Sequence, residues 1–204
     1  MQVYDIAVVG AGPAGIMAAL RARGLKEKTV LLEKNDSLGR KILLSGKGRC
    51  NLTNSAPLED FIQKFGKQGD FLRSAFKSFS NRDLIDFFKS KGLELKIERQ
   101  GRVFPATDRA ASVTHILKEC LCGNNLEVFY KSRLENIKRH SEYFELLLEG
   151  GGRIFSRKVI LATGGASFKG TGSTGDGFNI AERLGHKIIP LRPGLVPLKT
   201  KEKW

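Results

Sequence analysis

Two stretches of this sequence have residue types and spacing suited to chemistry on a phosphate-bearing ligand. The first is Gly10-Ala11-Gly12-Pro13-Ala14-Gly15, with Glu33 further along the chain. A Gly-x-Gly-x-x-Gly run cradles a pyrophosphate only where a strand turns into a helix. Gly10 lets the chain turn sharply, Gly12 has no Cβ to block the pyrophosphate, and Gly15 lets the helix lie against the sheet. Glu33, at the tip of a second apolar run, can accept hydrogen bonds from ribose hydroxyls and would repel a 2′-phosphate; otherwise it is a solvated strand end. The second stretch is Ser45-Gly46-Lys47-Gly48-Arg49-Cys50-Asn51-Leu52-Thr53-Asn54, which gathers two glycines, two cations, a thiol and two asparagines. Its glycines allow the backbone to approach a flat ligand, and its polar groups suit the edge of a ring. It is not a P-loop, because Gly48 stands where the hydroxyl residue belongs.

These stretches need particular elements to position them. Ile6-Ala7-Val8-Val9 is too short for a helix and reads as a strand. A helix runs from the glycine turn to about Arg23, with Gly15, Ala18, Ala19 and Ala22 as a small-residue face. Thr29-Val30-Leu31-Leu32 is the second strand, completing a βαβ unit. The helix N-terminus offers unpaired N–H groups to phosphates, about 0.3–1 kcal/mol per favourable exposed interaction.

Residues 57–92 read as helical, with Phe61, Ile62, Phe65, Phe71, Leu72, Ala75, Phe76 and Phe79 as core positions. Ser80-x-x-Asp83 opens a helix through Leu84, Phe87 and Phe88, and Gly92 stands where its C-terminal cap belongs. Short strands are expected at Leu93–Lys96 and Arg102–Phe104. Asp108 is expected to cap a helix bearing Val113, Ile116, Leu117 and Leu121. A strand at Leu126–Tyr130 precedes three antiparallel strands, roughly Arg133–Arg139, Glu142–Glu149 and Arg153–Ser156. A separate buried strand, Lys158–Ala162, runs into Thr163-Gly164-Gly165, and a short helix covers Phe178–Leu184.

The 204 residues carry 35 Lys and Arg against 21 Asp and Glu, a net charge of +14. The cations are scattered among acids with no basic block, so nucleic acid is not the expected partner; part of the charge suits an anionic cofactor. No run reaches the ~18 apolar residues of a membrane span. The first strand begins too soon for a signal peptide, and three cysteines suggest reduced thiols, so a cytoplasmic location is expected. His115, His140 and His186 lack metal-ligand spacing, and no metal site is expected. Cys50 reads as a packed thiol, and Cys120 and Cys122 lie too far along for a flavin disulfide. No catalytic base can be named.

The next credible parallel strand after Glu33 is Leu126–Tyr130. That long excursion, then a three-stranded meander, then Ala162-Thr163-Gly164-Gly165, is the layout of FAD domains of the glutathione-reductase type. The chain closely resembles the N-terminal half of a bacterial family of NAD(P)/FAD-dependent, aminoacetone-oxidase-like oxidoreductases that includes bile-acid-inducible flavoproteins. The resemblance rests on the two stretches above, Gly101-Arg102-Val103-Phe104-Pro105, Ala162-Thr163-Gly164-Gly165, Gly172-Ser173-Thr174-Gly175-Asp176-Gly177 and Leu195-Val196-Pro197-Leu198.

The resemblance implies non-covalent FAD laid along the domain. Gly10, Gly12, Pro13, Ala14 and Gly15 would hold the pyrophosphate and Glu33 the adenosine ribose. The cations Lys34, Arg40 and Lys41 are expected beside them, and the backbone near Leu134 at the adenine. Ser45, Gly46, Lys47, Gly48, Arg49, Cys50 and Asn51 would run beside the flavin. Ala162, Thr163, Gly164, Gly165 and Asp176 would line the remainder, Asp176 being either a ligand or a helix N-terminal carboxylate. A small-molecule substrate and NAD(P)H are the partners it implies.

The fold class expected is α/β, a Rossmann-like FAD-binding domain with a β-meander and an inserted, mostly helical segment at about 57–108. That domain covers 1–190, and 191–204 begin a second. Family members run to about twice this length, so the chain reads as a piece. Weak FAD retention, negligible turnover, self-association or a complementing C-terminal half are expected of it. Two alternatives stay open: an NAD-dependent dehydrogenase, and a non-enzymatic or partner-dependent remnant.

Overall fold

The computed structural model describes residues 2–192. β1 (Val3–Val9), α1 (Pro13–Gly24) and β2 (Thr29–Leu32) form the expected parallel βαβ unit, with Val9 opposite Leu32. The strands are apolar on both faces because both are covered. Ala7, Val9, Val30 and Leu32 enter one core, and Val8 and Leu31 enter the other. Fully burying such side chains contributes about 1.5–3 kcal/mol each. α1 buries Gly15, Ile16, Ala19 and Ala22 and leaves Ala18 half-buried, so the small-residue face does lie against the sheet.

The chain then leaves the sheet. α2 (Arg40–Leu44) runs into a 3₁₀ turn at Ser45–Gly48, followed by β3 (Thr53–Asn54), α3 (Leu58–Gln63), α4 (Gly69–Ser78) and α5 (Asn81–Ser90). β4 (Leu95–Ile97) and β5 (Arg102–Pro105) complete a small antiparallel sheet of order β3-β5-β4. α5 starts with the expected capping box: the Asp83 N–H donates to Ser80 Oγ, and the Ser80 N–H donates to Asp83 Oδ2 at 2.7 Å.

Two expectations fail in this excursion. The phenylalanines are not uniformly core: Ile62 and Phe88 are buried, but Phe71 is 85% exposed and Phe65, Ala75 and Phe79 are also exposed. Phe61, Phe65 and Phe76 pack against one another rather than into the main core. Helical spacing shows that an apolar stripe exists, not that a layer covers it. Asp108 does not cap the next helix, α6 (Ala110–Leu121), whose N-cap is Arg109 without a side-chain bond. Asp108 takes a left-handed backbone, φ 53°, and its carboxylate pairs with Lys96 and Arg49.

β6 (Leu126–Phe129) then pairs in parallel with β2, and β7 (Leu134–Arg139) and β8 (Phe144–Leu148) form a hairpin. The expected separate strands at 153–156 and 158–162 are one strand, β9 (Arg153–Leu161). Its first part pairs antiparallel with β8, while from Phe155 onward it runs parallel to β1. The Ser156-Arg157-Lys158 polar step reads as a break, yet Ser156 is buried and its hydroxyl donates to Lys158 O at 2.8 Å. The meander is therefore continuous with the main sheet, order β6-β2-β1-β9-β8-β7. α7 (Asp176–Arg183) packs on β7. The expected second-domain start lies almost wholly outside the described residues, as does Leu195-Val196-Pro197-Leu198.

Candidate functional site

Sheet order reverses at β1, with β2 on one side and β9 on the other. The carboxyl ends of parallel strands at such a switch point are where open α/β sheets hold ligands. Here the turn after β1 meets the loop after β9: the Gly10 N–H donates to Leu32 O at 2.7 Å, and the Ala162 N–H donates to Val9 O at 2.8 Å.

The three glycines of the turn have three different reasons to be glycine. Gly10 has φ 103°, and a Cβ there would lie 2.6 Å from Ala162 O. A Cβ on Gly15 would collide with Gly10 O and press on Ala162 Cβ. A Cβ on Gly12 would have nothing within 4 Å, and the backbone there is ordinary, with φ −77°. The protein's own packing and backbone therefore do not require glycine at position 12. Pro13 follows as the first helical residue, and no side chain caps α1.

That space is a cleft of about 210 Å³. Of the residues singled out in the sequence, Gly10, Gly12, Pro13, Ala14, Glu33, Lys34, Arg40, Lys41, Leu134, Ala162, Thr163, Gly164 and Asp176 line it. Gly15 is buried behind it, and Gly165 and the Ser45–Asn51 stretch do not line it. Its charged residues are Glu33, Lys34, Arg40, Lys41, Arg133 and Asp176, four cations and two carboxylates, leaving two net positive charges. A pyrophosphate diester carries two negative ones.

Glu33 is 6% exposed and already engaged. Oε2 accepts from the Ala11 N–H at 2.8 Å, while Oε1 accepts from Asn35 N and Asn35 Nδ2 at 2.9 and 2.6 Å. A carboxylate has about four acceptor sites, so this geometry leaves one. Glu33 thus ties the glycine turn to β2 as well as facing the cleft. Asn35 continues the chain of contacts, its Oδ1 accepting from Arg40 at 2.8 Å. Lys41 donates to Ser167 O at 3.1 Å.

Asp176 opens α7 and joins three separate segments. Its Oδ2 accepts from Lys34 Nζ at 2.9 Å and from Arg133 Nε at 3.3 Å, and Oδ1 accepts from Arg133 at 3.3 Å. Burial alone would push its carboxyl up, but the hydrogen bonds of Lys34, Thr174 and Arg133 outweigh it and hold the pKa at about 2. Lys34 also donates to Thr174 Oγ1 at 2.7 Å. Gly172 makes room for the arrangement: it has φ 95°, and a Cβ would meet Asn35 Nδ2 at 2.7 Å.

Asn35, Ser132, Arg133 and Gly172 line the cleft but are not among the sequence candidates. Gly172 lies within a motif that carries the family resemblance. Arg133 has no local signal, since only the fold brings it to Asp176.

The Ser45–Asn51 stretch is held by its own scaffold. Gly46, Lys47, Gly48 and Cys50 all have positive φ, between 57° and 84°. Ser45 Oγ donates to Ile42 O at 2.8 Å, and the Cys50 N–H donates to Ser45 O at 2.9 Å. Arg49 is engaged outside the cleft, bonding Glu98 at 2.7 Å and Asp108 at 3.2 Å, with its guanidinium carbon 4.2 Å from the Phe104 ring centre. Cys50 is buried, and burial pushes its thiol pKa up, which suits a packed thiol and not a nucleophile. Among the described residues no group of His, Cys, Asp and Glu could hold a metal ion, and no helix is long and apolar enough to cross a membrane.

Residues 4–202 match the model of the HI0933-like protein Rossmann domain. The chain is 36% identical over 199 residues to a 3-dehydro-bile acid delta(4,6)-reductase of Clostridium scindens, covering 97% of this chain and 48% of that protein. It is 30% identical over 200 residues to a ribosomal RNA dihydrouridine synthase of Escherichia coli, covering 97% and 48%. The chain therefore spans about half the length of these curated relatives. Among solved structures, Mycobacterium smegmatis Sdh1 in complex with UQ1 matches 81% of this chain and 34% of its own, with TM-score 0.60 and 18% identity. Thermovibrio ammonificans THI4 matches 82% and 60%, with TM-score 0.55 and 14% identity. These two likenesses concern the fold.

Proposed function

The chain belongs to the HI0933-like Rossmann domain family, and from that premise we propose that its cleft holds FAD in an oxidoreductase that reduces a carbon–carbon double bond. The family's Rossmann domain is an FAD-binding one. The residues fit that group, and one observation carries the reading: the α1 N-terminus, an open space at Gly12 and two net positive charges converge at the sheet's switch point. Gly10 to Ala14 would receive the pyrophosphate, Glu33 and the Leu134 backbone the adenosine, and Ala162 to Gly164 the way toward the flavin. When bound, FAD supplies the two-electron chemistry, and the protein positions and tunes it. The Ser45–Asn51 stretch, ordered by Arg49, Glu98 and Asp108, would present its backbone near the flavin. The long excursion between β2 and β6 supports FAD over a plain NAD-dependent dehydrogenase.

The reaction class draws on the relatives. A delta(4,6)-reductase and a dihydrouridine synthase are both named for saturating a ring double bond. We take the substrate to be a small molecule with a double bond conjugated to a carbonyl, and NAD(P)H to be the reductant. A second reading, a uracil ring within RNA, is favoured by the dihydrouridine synthase likeness. Three unpaired cysteines fit a reducing compartment, and we place the protein in the cytoplasm.

The test has two stages. Heat-denatured protein should release FAD; recovery of NAD or FMN instead would sink the cofactor reading. Chemically reduced protein is then mixed anaerobically with an α,β-unsaturated ketone or with ribosomal RNA, and flavin reoxidation is followed by absorbance. The ketone is expected to reoxidise it. Reoxidation by RNA alone would select the second reading, and reoxidation by neither would end both.

A further inference from the structure

Lys34 and Arg133 come from different strand ends yet meet on one carboxylate. Lys34 directly follows Glu33, the expected ribose residue, and Arg133 directly precedes Leu134, the cleft-lining residue expected at the adenine. Both line the cleft, so this corner holds two cations beside the expected sugar end of the dinucleotide. Two cations so placed would ordinarily recruit a phosphate ester on the ribose, as basic residues do in sites for 2′-phosphorylated dinucleotides. Here both are paired with Asp176. It lies 2.9 Å from Lys34 and 3.3 Å from Arg133, with its side chain only 18% exposed. Arg133 is further drawn to Glu149, at 3.5 Å.

We propose that Asp176 is a specificity-determining residue: by occupying Lys34 and Arg133 it denies them to a ribose phosphate, so the site accepts an unphosphorylated adenosine and rejects its 2′-phosphorylated form. This rests on the cleft being an adenine-dinucleotide site, as proposed above. Glu33 and Asp176 act together in it. Glu33 repels the phosphate directly, whereas Asp176 removes its counter-charges. The partly buried position matters, because a charge pair shielded from water is screened far less by salt than an exposed one. The partners of Asp176 lie within the protein, so the residue need not touch the cofactor to control which cofactor enters.

Full-chain protein freed of nucleotide is titrated by calorimetry with ADP and with adenosine 2′,5′-bisphosphate. Wild type should prefer ADP at least tenfold. Asp176→Asn should narrow that preference at least fivefold by strengthening the bisphosphate, and Asp176→Glu should restore it. Lys34→Met leaves the helix start untouched and covers the case in which Asp176→Asn does not fold. It should widen the preference for ADP at least threefold, because the remaining carboxylate is then less compensated. An unchanged preference in a folded Asp176→Asn overturns the proposal. If that variant does not fold, an unchanged preference in Lys34→Met overturns it. Binding of ADP by wild type with no such changes leaves the site reading standing and removes only this role. Binding of neither nucleotide removes both.

Discussion

At the residue scale the three glycines of the turn separate a folding requirement from a ligand requirement. Gly10→Ala and Gly15→Ala place a Cβ against Ala162 O and Gly10 O, so each should cost about 1–3 kcal/mol of stability, as overpacking does, measured by denaturant midpoint. Gly12→Val has room and an unstrained backbone, so its midpoint should stay near wild type while FAD content falls sharply. A Gly12→Val protein with full flavin content would show that the open space is not the pyrophosphate site. Asp176 gives a pH signature. Its folded pKa of about 2 lies below the ordinary 3.8, so it contributes stability above pH 4 that is lost as pH falls toward 2. The difference in melting temperature between wild type and Asp176→Asn should be full at pH 5 and shrink across that window. The glycines and Glu33 are legible in sequence because a strand-turn-helix imposes their spacing locally. Arg133 is not, because a residue 43 positions before Asp176 reaches it only through the β7–α7 packing.

At the element scale, local signals in the sequence hold where the chemistry is local. The Ser80–Asp83 box needs only four consecutive residues to satisfy two backbone N–H groups, and it is present as expected. Ser80→Ala should cost about 0.5–2 kcal/mol, read by denaturation, with flavin content unchanged because α5 does not line the cleft. Asp108 has the same kind of signal but does not cap, since Lys96 and Arg49 compete for its carboxylate and both arrive from distant sequence. The same competition makes Arg49 a structural residue of its loop. Arg49→Ala removes one partner of Glu98 and one of Asp108, leaving Lys96 to both, and removes the contact on Phe104. It should raise proteolytic cleavage near residues 45–51 while leaving the glycine-turn fold intact. An unchanged cleavage pattern would mean that the positive-φ backbone holds itself. The sequence pattern divides β9 because polar residues at 156–158 resemble a turn. In the sheet they are tolerated, since Ser156 satisfies its hydroxyl on its own backbone and Arg157 faces Asp5 on the neighbouring strand.

At the scale of the whole molecule the two parts of the chain should differ in how they open. In the main sheet β1 and β2 are covered on both faces, and β1 contributes Ala7 and Val8 at zero exposure. The excursion has a thinner cover: α4 buries only Gly69, exposes Phe71 and packs chiefly on α3. Local opening follows few buried apolar contacts and many solvated backbone bonds, so α3 and α4 should exchange amide hydrogens well before β1, β2 and β9. FAD adds a second contrast, because a ligand that binds only the folded site stabilises it by about 2.7 kcal/mol at a hundredfold excess over Kd. That stabilisation should reach the amides that require the cleft to open: the glycine turn, the first turn of α1, the loop after β9 and the start of α7, which Asp176 ties to Lys34 and Arg133. It should not reach α4, which can open while the cleft stays closed. Hydrogen exchange followed by mass spectrometry, with and without FAD, tests this pattern. Uniform protection across α4 and the cleft would mean that the chain opens as one unit and that the excursion is coupled to the cofactor site. Protection confined to the cleft segments would place the binding energy in the α1, β2, β9 and α7 corner, where the charges and the open space already converge.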